Sequence, residues 1–102
     1  DGIFFLSSDG DAGLDFLVEK NNSATTTEDV ATMADDTFIT VAWYVDPNAS
    51  KVFYAVNHGD PVGVTNANIP DDEELTVSFG IQNGEASAQV MTIDYITAMV
   101  ER

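Results

Sequence analysis

The chain has 102 residues, 18 of them acidic against Lys20, Lys51 and Arg102, for a net charge of −15 at pH 7. That length admits one domain with one core, and a 44% hydrophobic share argues against a disordered chain. The charge argues against binding nucleic acid or an anionic membrane, both of which need basic faces. The absence of cysteine removes disulfides, thiolate metal sites and cysteine nucleophiles.

Taken in order, residues 3–7 form the first apolar run, ended by the turn formers Ser8, Asp9, Gly10, Asp11, Ala12 and Gly13. Residues 14–20 (LDFLVEK) resume as a strand with Leu14, Phe16 and Val18 on one face, so the two read as a hairpin. The chain starts at Asp1 without Met, and IFFL already reads as strand. The expectation is therefore a piece of a longer chain, or a matured product. Asn21, Asn22 and Ser23 form a turn, and residues 24–30 predict an edge strand.

Residues 37–64 predict three strands joined by two turns. Ile39, Val41, Trp43 and Val45 alternate with Thr40, Ala42 and Tyr44, which places Trp43 in the core. Asp46, Pro47 and Asn48 end the first of these strands, and Asn57, His58, Gly59 and Asp60 turn the chain out of the second. After a polar loop at 65–74, residues 75–82 predict a strand with Leu75, Val77, Phe79 and Ile81 on one face. Residues 90–100 read as a last strand, although Ile96, Met99 and Val100 also fit a helical turn. Seven or eight short antiparallel strands at this spacing predict an all-β domain over 1–102, a sandwich or barrel. No apolar run reaches the ~20 residues of a membrane-spanning helix.

The candidates for chemistry are few. The single histidine, His58, lies in a tight turn beside Gly59, where positive φ explains it more simply than catalysis. Paired carboxylates for glycoside cleavage must face each other at ~5–10 Å. Here Asp15 and Glu19 stand four apart on one strand and Asp94 stands alone, so no enzyme is expected. Calcium is the one cofactor that the residues admit, because Asp9, Asp11 and Asp15 lie closely spaced in and beside one loop. That loop does not match an EF-hand. Asp71, Asp72, Glu73 and Glu74 make a second acidic cluster, and Tyr44 and Tyr54 are the candidates for stacking on a sugar from outward faces. A solvated acidic surface is the simpler reading of the acids, and half-exposed sheet surface of the tyrosines.

Two stretches, TFITVAWYVDPNASKVFYAVNHGDPVGV (37–64) and MTIDYITAMV (91–100), resemble the concanavalin-like, laminin-G-like β-sandwich family. More specifically, IPDDEEL (69–75), FGIQNGEA (79–86) and IDYITAMVER (93–102) are similar to the C-terminal half of structural proteins in tailed bacteriophages. The resemblance implies an antiparallel jelly-roll or concanavalin-like sandwich whose N-terminal strands are missing here or whose fold is reduced. It also implies a virion component on the capsid surface, decorating or cementing the head. Its partners would be capsid subunits and other copies of itself. It implies no catalytic residues, and the glucanase motif Glu-x-Asp-x-x-Glu is absent from the sequence. The alternative expectation is a lectin-like module that holds a glycan through loop acids with calcium, or through surface tyrosines.

Overall fold

The computed structural model describes residues 1–65, 67–82, 84, 86 and 88–100. Six strands form two antiparallel sheets of three, and no helix occurs among the described residues. The first sheet joins β1 (Gly2–Leu6), β2 (Gly13–Lys20) and β3 (Ser23–Thr32) in chain order. The second joins β4 (Val41–Asp46), β5 (Lys51–Val56) and β6 (Val62–Thr65), also in chain order.

Local chemistry explains the turns. Lys20 pairs with Ser23, so β2 and β3 are joined by Asn21 and Asn22 alone, at φ 53° and 58°. A two-residue loop with both residues left-handed is the turn whose twist suits a hairpin, and asparagine tolerates it. Between β4 and β5, Asp46 Oδ1 accepts hydrogen bonds from the backbone N–H groups of Asn48 (2.9 Å) and Ala49 (3.2 Å), which fixes the bend around Pro47. Asn57 and His58 leave β5 left-handed, at φ 49° and 60°, as expected for that turn.

The inner faces meet in one small core. Cross-strand pairing places Ile3 beside Val18 and Phe5 beside Phe16 on the first sheet. On the second it places Val52 beside Val64 on the face that also carries Tyr54. Phe16, Val18 and Val52 are fully buried, and the Phe16 ring lies 4.9 Å from both Phe5 and Tyr54. Each fully buried side chain of this kind contributes ~1.5–3 kcal/mol. Phe16 therefore connects the two sheets.

Residues 67–72 form a strap back to the first sheet. Asn68 Nδ2 donates to Thr25 Oγ1 at 3.1 Å, Ile69 packs against the core, Pro70 is buried, and Asp71 and Asp72 both reach Lys20.

Four expectations change. Residues 75–82 and 90–100 carry strand sequences but belong to no strand, so the described residues form six strands where the sequence predicts seven or eight. Alternation and β-propensity describe a surface that suits a sheet, and a ladder partner is still needed. The central block begins as strand at Val41 rather than Thr37, because residues 37–40 carry the chain between sheets. There the Asn57 N–H donates to the Thr40 carbonyl at 2.8 Å. Trp43 lies on the inner face but is 40% exposed, on the outer strand of its sheet. Tyr54 points inward, because it pairs directly with Trp43 and its ring is taken up by Phe16. The radius of gyration, 14.3 Å, exceeds the ~13 Å of a compact chain this long, consistent with residues 71–100 lying outside the core.

Candidate functional site

The acidic loop between β1 and β2 is built from hydrogen bonds within the chain. Asp11 Oδ1 accepts from the Gly13 N–H at 2.7 Å, while the Asp11 carbonyl accepts from Ser7 Oγ at 2.8 Å. Asp15 Oδ1 accepts from the Asp29 N–H at 2.9 Å. That last bond stabilises a bulge in which Glu28, Asp29 and Val30 of β3 face Asp15 alone, with Asp29 left-handed at φ 54°. The Asp29 carboxylate then lies over Gly13, where any Cβ would collide with it, and Asp11 Oδ1 stands 3.1 Å from the same point. Asp29 was not among the sequence candidates, and only the bulge brings it here. Asp9 sits apart, beside Gly84. Among the described residues no group of three or more His, Asp or Glu side chains stands close enough to hold a metal ion.

The second acidic cluster divides into two pairs. Asp71 and Asp72 converge on Lys20 Nζ, the latter at 3.0 Å, whereas Glu73 and Glu74 are exposed. Donating hydrogen bonds to the Asp71 and Asp72 carboxylates raises the Lys20 pKa above its ordinary value, and accepting the one from Lys20 lowers that of Asp71. These groups border a cleft of about 300 Å³ whose walls include Val45, Asp46, Pro47 and Ile69. Because the ammonium of Lys20 already faces two carboxylates, the cleft offers an anionic ligand little attraction. A second cleft, of about 780 Å³, is lined by Met33, Asp35, Asp36, Phe38 and Val90 among others.

Of the two tyrosines, only Tyr44 faces outward. It stacks on Phe53, its cross-strand partner, with ring centroids 4.9 Å apart and planes 6° from parallel. Phe53 in turn covers Gly63, where a Cβ would stand 2.9 Å from the ring. This Tyr44–Phe53–Gly63 row is therefore packed on itself. One face of Tyr44 is thereby taken up by Phe53, while Tyr44 itself stays 49% exposed on the edge strand. Phe53 was not singled out by the sequence, though its place opposite Tyr44 follows from the length of the β4–β5 turn.

The largest unsatisfied feature is apolar. Val41, Trp43 and Val45 line one side of edge strand β4, and all are more than a third exposed. Residues 75–81 add Leu75, Val77, Phe79 and Ile81, and the last segment adds Val90, Tyr95 and Met99. Large apolar side chains left exposed in such number are a mark of interaction surfaces. Comparison with protein-family models, curated proteins and solved structures finds no match.

Proposed function

We propose that this chain is a non-enzymatic structural module that works by protein–protein contact, decorating or cementing the capsid surface of a tailed-phage virion. In this reading the two sheets are the layers of a concanavalin-like β-sandwich whose remaining strands are completed by contact. The observation that carries the reading is the exposed apolar surface of β4 and residues 75–100, on a chain whose fully buried side chains are few. A module that docks onto another protein needs such a surface. The acidic charge is compatible with dense packing of copies and discourages loose nucleic acid. The setting is the expectation drawn from sequence alone, from the resemblance of residues 69–75, 79–86 and 93–102 to phage structural proteins.

The test is mass spectrometry of purified virions of the phage that encodes the chain, followed by heating of heads that lack it. The chain is expected in fixed ratio to the capsid protein, and heads without it are expected to release DNA at lower temperature. Virions that never contain the chain would refute the proposal.

A further inference from the structure

Two acid-free strand sequences are left open in this molecule. β4 presents an edge whose first five residues hold no charged side chain, no proline and no bulge, the devices that normally blunt an edge. The other outer strand of that sheet, β6, has four residues, begins beside Pro61 and contains Gly63, so it is already protected. On the first sheet, β3 is blunted by its bulge and by Glu28 and Asp29, while β1, also uncharged, already has Ile3 and Phe5 of its inner row packed in the core.

Residues 75–82 alternate Leu75, Val77, Phe79 and Ile81 with uncharged polar residues and glycine, and those four side chains are 44–67% exposed. Within its own chain this segment is anchored just before its start, where Lys20 holds Asp71 and Asp72. It takes no part in a ladder with β4. Edge and strand are both unpaired in the same molecule.

We infer that residues 75–82 of one copy add as a strand to the β4 edge of another copy, closing the contact between protomers. The inference rests on reading the chain as a protein-contact module and names its partner. Charge selects the contact. Two copies at −15 each repel, so they can approach closely only where acids are absent. β4 up to Val45 and residues 75–82 are both free of charged side chains, so the five-residue edge can pair along part of the eight-residue segment. Backbone pairing then supplies affinity, and the row Val41, Trp43 and Val45 meets the row Leu75, Val77, Phe79 and Ile81. Screening should tighten the contact, so association is expected to strengthen roughly tenfold from about 0.01 M to about 0.5 M salt.

The experiment is sedimentation velocity on the full chain, with a donor variant, Val77→Glu, and an acceptor variant, Val41→Lys. The wild type is expected to associate, each variant alone to be monomeric, and a 1:1 mixture to recover a complex, because each variant supplies the half that the other lacks. Val77 is 59% exposed and outside the core, so its variant keeps the test decisive if Val41→Lys fails to fold. A wild type that stays monomeric at every concentration and salt overturns the inference, as does association that both variants leave intact. A monomer whose 75–82 amides resist hydrogen exchange also overturns it, by showing that the strand pairs within its own chain. A monomer still found in virions removes this contact and leaves the capsid role standing.

Discussion

Two phenylalanines, truncated alike, give the sharpest test of where this fold is held together. Phe16 is fully buried, with Phe5 and Tyr54 each 4.9 Å away, whereas Phe79 is 67% exposed. Removing a buried phenylalanine ring costs ~3–5 kcal/mol, from lost transfer energy together with the cavity that remains. Phe79 has about a third of its surface covered, so the area relation gives ~1 kcal/mol or less for Phe79→Ala. A domain this size holds ~5–15 kcal/mol in total, so Phe16→Ala should consume a large share of it. At ~4–8 °C per kcal/mol, Tm should fall by roughly 15–30 °C, against a few degrees for Phe79→Ala. Urea titration followed by Trp43 fluorescence and by far-UV circular dichroism measures both. Equal losses in the two variants would refute the reasoning, because residues 75–82 would then belong to the core.

Three further outcomes follow from particular residues. The Asp71 pKa is lowered below 3.8, so its bond to Lys20 stabilises the fold above that pH and is lost as pH falls through the lowered value. The Lys20 pKa is raised above 10.5, so its share persists below that pH and is lost as pH rises through the raised value. Lys20→Met is therefore expected to abolish that part of the acid and alkaline loss while leaving the slope between about pH 5 and 9, where both groups keep their charge, unchanged, as urea midpoints across pH would record. Asn22→Ala, at φ 58°, should cost about 1–2 kcal/mol in a urea titration, and Asn22→Gly should cost nothing or stabilise. Net charge −15 predicts a urea midpoint that rises as salt is added up to about 0.2 M, and a flat response would show that repulsion is unimportant.

Local pattern reached most of the fold and little of the site. The hairpins and the third strand were legible because alternation and turn formers act over a few residues, as at Asn21, Asn22 and Asp46. Alternation does not say which face is covered, and so Tyr54 was placed outward. The four-residue connection from Asp46 to Lys51 fixes the register that pairs Tyr54 with Trp43 and turns both inward. The partners of Lys20 lie 51 and 52 residues along the chain, beyond any local signal. Asp29 reaches the acidic loop only through a bulge, which composition does not announce. In 75–82 the pattern is sound but the partner is missing, because strand sequence specifies a face and not the edge it meets.

The strap at 67–72 also sets the path that mechanical load takes through the molecule. A pull on the chain beyond Asp72 arrives first at Lys20 and Thr25, on β2 and β3, and at the buried Ile69 and Pro70. The four-residue β6, which would peel bond by bond if pulled directly, lies upstream of that anchor. Tension from the C-terminal segment is therefore taken by the first sheet and the core, and the short strand is shielded from it.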